Sequence, residues 1–81
     1  MSKHLRKAIE MMEAARPASG FRPETPEEWQ RLLRANEEMG YAMYRDGGMP
    51  EHKARELARV THGGPAALLL LTIALAEDEH E

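Results

Sequence analysis

Residues 66–76 read AALLLLTIALA, and a helix that is apolar all round must be covered all round. Eleven residues at about 1.5 Å each give a helix of roughly 16 Å. A bilayer core takes about 20 apolar residues in a helical span, so this run is not a membrane crossing. A chain of 81 residues is one domain by length, and a domain this small has few other helices with which to cover such a segment. The run therefore points to self-association or to a partner protein.

The remaining sequence divides into four helices with clear punctuation. The first is expected over residues 3–15, capped by Ser2, with Leu5, Ala8, Ile9 and Met12 on one face and Lys3, Arg6, Lys7, Glu10 and Glu13 opposite. Pro17-Ala18-Ser19-Gly20 ends it. The second, over 26–45, opens on Thr25 as N-cap, Pro26 at the first helical position and Glu28 closing a Thr-x-x-Glu capping box. Its apolar face carries Trp29, Leu32, Leu33, Met39 and Met43, and Gly47-Gly48 stops it. The third, over 50–62, carries Ala54, Leu57 and Ala58. His62-Gly63-Gly64-Pro65 separates it from the apolar fourth helix, expected over 65–77. The acidic tail, 77–81, is expected to fray, because negative charge is disfavoured at a helix C-terminus. No segment alternates with period two. The reading is an all-α compact bundle of four short helices, a single domain over 1–81, with the last helix apolar and central.

Large apolar side chains in the first three helices number about ten (Leu5, Ile9, Met12, Trp29, Leu32, Leu33, Met39, Met43, Leu57 and Val60). Three amphipathic helices cover only part of the circumference of the fourth. Leaving one of its faces in water exposes three leucine-class side chains at about 1.5–3 kcal/mol each, comparable to the whole stability of so small a domain. A homo-oligomer with Leu68, Leu69, Leu71, Thr72 and Leu75 at its interface follows. The alternative is a monomer in which the fourth helix is the core helix of its own chain.

The net charge is −3, which argues against general affinity for nucleic acid. Lys3, Arg6, Lys7, Arg16 and Arg22 against Glu10 and Glu13 give residues 1–22 a charge of +3, whereas residues 66–81 carry −4 from Glu77, Asp78, Glu79 and Glu81. There is no cysteine, which excludes disulfides and thiolate metal sites and fits a reducing compartment. Met1-Ser2-Lys3-His4 leads into an amphipathic stretch, not an apolar signal core, and a cytoplasmic protein is expected.

Catalytic chemistry is not written in the chain. The serines read as a cap and a loop residue, there is no phosphate-binding glycine motif, and the histidines at 4, 52, 62 and 80 are dispersed, without the H-x-x-x-H spacing of a helical zinc site. No enzyme activity, cofactor or metal is expected. The third helix and its glycines resemble the opening of a helix-turn-helix, but the following helix presents leucines where DNA recognition needs Arg, Asn or Gln; no DNA reading by the last helix is expected.

Two polar features remain. Asn36 lies on the apolar side of the second helix, where it fixes an assembly register, bonds a loop backbone or faces a ligand; Gly40 nearby suggests a close helix approach. Gly20-Phe21-Arg22-Pro23-Glu24-Thr25 sets the only phenylalanine beside an arginine just ahead of a helix N-terminus. That combination suits a nucleotide base and phosphate, or else a ring that plugs the core beside a solvated arginine.

Gly20-Phe21-Arg22-Pro23-x-Thr25, followed by acidic residues and a helix containing Asn36, resembles the opening motif of phage anti-CBASS proteins that sequester cyclic nucleotides. Leu57-Ala58-Arg59-x-Thr61 and the apolar helix after it are loosely similar to the last helix of that family. Here a whole helix precedes the motif, and Gly63-Gly64-Pro65 interrupts the last helix. The resemblance implies a compact helical homo-oligomer that binds cyclic nucleotides without cleaving them, with Phe21 stacking on a base and Arg22 on a phosphate; Thr25 and Asn36 complete the candidate ligand site.

The expected function is that of a small non-enzymatic binding protein that self-associates and occludes a protein partner, in the style of phage or accessory-genome inhibitors of host defence. The alternatives are a cyclic-nucleotide sponge and a structural subunit of a larger complex.

Overall fold

The helix boundaries follow from caps. In a computed structural model, which describes residues 2–20 and 22–79 apart from the side chains of Ala66, Leu75 and 77–79, the chain forms α1 (Lys3–Ala14), α2 (Pro26–Asp46), α3 (Glu51–His62) and α4 (Pro65–Glu79). The fold is an all-α bundle with no strand among the described residues. Ser2 Oγ accepts the Leu5 N–H at 3.1 Å and donates to Asp46 at 2.7 Å, which pins the start of α1 to the end of α2 and sets the two helices antiparallel. Thr25 Oγ1 accepts the Glu28 N–H at 3.1 Å, as the capping box requires. The Glu28 carboxylate also accepts the Ala18 N–H at 2.9 Å, strapping the α1–α2 loop onto the helix start. The stop of α2 is a Schellman motif. Gly48 adopts φ +99°, Met49 N–H donates to Tyr44 O and Gly48 N–H to Arg45 O, both at 3.0 Å. Tyr44 and Met49 then pack together against the core.

The 21-residue α2 is the central element, about 31 Å long, with α1 and α3 packed along it. They meet it through small residues: Ala8, Ala35, Ala42, Ala54 and Ala58 have no exposed surface, and Ala15 and Ala67 are buried beside them. Among the described residues no large apolar side chain is fully buried. Leu5, Ile9, Met12, Trp29, Leu32, Leu33 and Met39 line the edges of the seam, half-buried.

Three expected core residues are corrected. Met43 and Val60 are 59% and 61% exposed and Leu57 is exposed at 37%. At roughly 100° per residue, Val60 points about 200° away from the buried Ala58, and Met43 falls in the gap between the faces of α2 that meet α1 and α3. The expected central place of the last helix is corrected as well. α4 leaves the end of α3 after a bend of 50° and packs chiefly on α3. It therefore lies at one end of the bundle, and the Cα radius of gyration of 13.0 Å exceeds the roughly 12 Å of a close-packed chain of this length. The helix continues to Glu79; His80 and Glu81, the rest of the expected acidic tail, lie outside the described residues.

A charged cluster crosses all three bundle helices. Arg55 of α3 donates to both carboxylate oxygens of Glu38 on α2, at 2.9 and 3.3 Å, and Lys7 of α1 approaches the same carboxylate at 3.7 Å. Arg55 also stacks 3.7 Å above the centroid of the Tyr41 ring, which the His4 ring meets edge-on at 5.5 Å and which packs in the core with Ala54 and Ala58. The Arg55 hydrogen bonds hold the Glu38 carboxyl below the usual carboxylate range against the opposing effect of burial, with the charges of Arg55 and Lys7 adding to the shift.

A carboxyl whose pKa is lowered by folding contributes its full stability above its unfolded value and loses it as pH falls through the folded one. The thermal stability of the chain should therefore fall progressively below pH 4.5, the ordinary value for this group. Glu38→Gln should flatten that acid dependence and cost about 1–3 kcal/mol at neutral pH, since it leaves Arg55 half-buried without its bidentate partner. Melts of both proteins from pH 3 to 7 check this; an unchanged acid slope in Glu38→Gln would remove the cluster as its source.

Candidate interaction surface

The largest unsatisfied feature of the fold is the free side of α4. Leu69 and Leu70 are 61% and 65% exposed, and Ile73 is 48% exposed, so three branched apolar side chains one helical turn or less apart face away from the chain. Ala67 is buried against the bundle and Leu71 is half-buried. Leu68 and Thr72 line an open groove of 480 Å³ with Pro26, Trp29, Gln30 and Leu33 at the start of α2. Of the residues expected at an oligomer interface, Leu68, Leu69 and Thr72 are exposed and Leu71 turns toward its own chain; the side chain of Leu75 lies outside the described residues. Leu70 and Ile73, which the sequence reading left out of that set, sit on the most open face.

The base of α4 is held by a polar joint. Asn36 Nδ2 donates to the carbonyl of His62 at 2.7 Å, one of the orphan acceptors in the last turn of α3. Of the three roles open to Asn36, this is the bond to backbone. His62 lies directly over Gly40: a Cβ built on Gly40 would stand 2.5 Å from the imidazole Nδ1. The close helix approach expected at this glycine is thus an approach of α3's last side chain to α2's backbone. His62 also meets the Tyr44 ring edge-on at 5.7 Å. Thr61 Oγ1 donates to Leu57 O at 2.8 Å and lies 3.1 Å from the Tyr44 hydroxyl and 2.7 Å from His62 Nδ1. A hydroxyl has one proton, so with that proton on the Leu57 carbonyl both Tyr44 and His62 Nδ1 donate to Thr61.

Two of the candidate nucleotide residues, Thr25 and Asn36, stand apart along α2. Phe21 lies outside the described residues. Thr25 is occupied as the α2 cap, and Arg22 is exposed, its carbonyl accepting from Ser19 Oγ at 3.1 Å. Asn36 stands eleven residues along α2 from Thr25, roughly 16 Å, and donates to the His62 carbonyl. Both described serines are engaged in hydrogen bonds, Ser2 with Leu5 N–H and Asp46 and Ser19 with the Arg22 carbonyl, and His4, His52 and His62 lie in three separate environments. Among the described residues, no group of three or more His, Asp or Glu is placed to hold a metal, and no single helix is long and apolar enough to cross a membrane.

Sequence reading missed the Glu38–Arg55–Lys7 cluster. The signal was present: Ala35, Glu38 and Ala42 follow the i, i+3, i+7 spacing of one helix face, so a carboxylate sits in the buried stripe and needs a cationic partner. A second missed feature is a cleft of 200 Å³ between α1 and α2, where Arg31 and Arg34 flank Met11, Ala14 and Ala15.

Gly40→Ala should destabilise the chain by about 1–3 kcal/mol, because the methyl group must displace a ring and not a flexible chain end. His62→Ala in the same chain should recover most of that loss, and a double-mutant cycle by denaturant unfolding reads the coupling; additive losses would mean that the ring and the glycine do not oppose each other.

Compared with protein-family models, with curated proteins and with solved structures, the chain matches none.

Proposed function

We propose that the chain is a non-enzymatic helical binding protein that works as a homo-oligomer, with the open face of α4 buried between copies and the polar faces of α1–α3 left to occlude a protein partner. The observation that carries this reading is the coincidence of two facts about one molecule. No large apolar side chain is fully buried among the described residues, while Leu69, Leu70, Ile73 and Val60 stand about half or more exposed. Burying such side chains is worth about 1.5–3 kcal/mol each, and a small domain with an alanine interior has little other apolar burial to draw on. Assembly supplies what the single chain lacks.

The placement of the reactive groups supports a binding role. The serine hydroxyls serve caps and loops, and the best-formed charged cluster, Glu38–Arg55, joins helices with both partners satisfied. The three-helix bundle offers mixed charge along the exposed side of α3, where Glu51, His52, Arg55, Glu56 and Arg59 border a shallow groove. Such a surface suits a polar protein rim.

Light scattering at micromolar concentration should give a mass of two or more chains. Leu69→Glu and Leu70→Glu should each yield a monomer of unchanged helix content, since both side chains are open in the single chain. A monomeric unsubstituted protein at these concentrations would overturn the reading.

A further inference from the structure

We propose that two copies of the chain pair through α4 in antiparallel orientation, each acidic helix end lying against the arginines at the start of the other copy's α4. This pairing rests on the self-association proposed above and fixes its direction.

Between His62 and Glu77 the sequence has no ionisable side chain. Lateral contact between two such helices is apolar on any face and sets no orientation, so the charges at the two ends decide it. The C-terminal end carries Glu77, Asp78 and Glu79 on top of the negative pole of the helix dipole. The N-terminal end has the opposite character. Arg34 borders a groove with Gln30, Leu33, Glu37 and Gly63 at the base of α4, and Arg59 stands one turn before Gly63, whose N–H donates to its carbonyl at 3.2 Å. Both arginines are exposed, and among the described residues neither has an ion-pair partner. The one acid in the groove, Glu37, faces Arg55 at 3.7 Å. The N-terminal half-dipole of α4 adds to the positive side.

Distance settles which alignment wins. Helices pack with axes about 8–10 Å apart, close to the Debye length of about 8 Å at physiological salt. A parallel pair places two triple-acid ends at that separation. An antiparallel pair moves them apart by the length of α4, about 22 Å for its 15 residues, and brings each to the arginine end of the other copy. A two-fold axis makes the contact twice.

The test is the dimer dissociation constant of the full chain by sedimentation equilibrium, at about 0.02 M and about 0.5 M sodium chloride. Antiparallel pairing predicts a dissociation constant that rises several-fold with salt; a parallel pair is tightened by salt, because its end charges repel. Arg34→Glu should weaken the dimer about tenfold at low salt, and Glu77→Lys with Asp78→Lys in the same chain should restore it. Circular dichroism confirms that each variant keeps its helices. A dimer that tightens with salt, or that ignores Arg34→Glu, overturns the antiparallel pairing and leaves self-association standing. A chain that is monomeric at every concentration overturns both.

Discussion

The helices of this chain meet through alanine, and the rest of the structure follows from that choice. A seam of Ala8, Ala35, Ala42, Ala54 and Ala58, with no exposed surface, lets helix backbones approach closely, and Gly40 brings α2 near enough for His62 to lie on it. The same closeness leaves no room for branched side chains at the centre. Leucines, isoleucine and methionines are pushed to the edges of the seam, where each covers its neighbours with one side and meets water with the other. A bundle packed this way is tight along its axis lines and poor in buried apolar volume. The cluster of Arg55, Glu38, Lys7 and Tyr41 stands where a larger domain would place a hydrophobic plug. Ion pairs of this kind are weak sources of net stability, but they are directional: a bidentate guanidinium fixes the register of α3 against α2, and Lys7 extends the same anchor to α1.

Sequence reading recovers the helices and not their depth of burial, for a physical reason. Boundaries are local. Ser2, Thr25-Pro26, Gly48 and Gly63-Gly64-Pro65 act on hydrogen bonds within a few residues, and each does in the fold what its chemistry requires. Burial is collective. Helical periodicity identifies Leu57 and Ala58 as neighbours on an apolar side, but it does not say that the smaller one forms the contact while Leu57 and Val60 face out. Counting large apolar residues therefore overstates the core of α3 and misplaces Met43. Asn36 shows the intermediate case: its position on the apolar face is visible in the sequence, while its partner, the His62 carbonyl, is 26 residues away and set by the α2–α3 packing.

The place of α4 is the largest departure, and it arises from the joint that precedes it. A helix apolar on all sides has the composition of a central element, yet connection decides what it reaches. Asn36 and Gly40 hold His62 in place, and the chain then turns by 50° through two glycines, so α4 is directed along the end of the bundle. Among its described side chains, Ala67 is buried there and Leu71 and Ala76 are half-buried. The apolar run is thus half answered by its own chain.

An apolar helix presented in this way would tend to associate without limit, since any face accepts any other and a heterologous contact generates open fibres. What confines it is the punctuation at both ends. Glu77, Asp78 and Glu79 close the run on one side, and the Gly63-Gly64 turn with Arg34 and Arg59 closes it on the other. Flanking charge is the usual way in which sequences restrain an unavoidable apolar segment. Here the two flanks have opposite sign, so they do more than restrain. In the pairing proposed above, end-to-end stacking of like termini is repelled, side-by-side pairing is aligned, and the arrangement that satisfies both flanks is symmetric and closes on itself. In that proposed pairing, the opposite charges at the two ends of α4, acids at 77–79 and Arg34 and Arg59 near Gly63, give an otherwise unoriented apolar helix a direction.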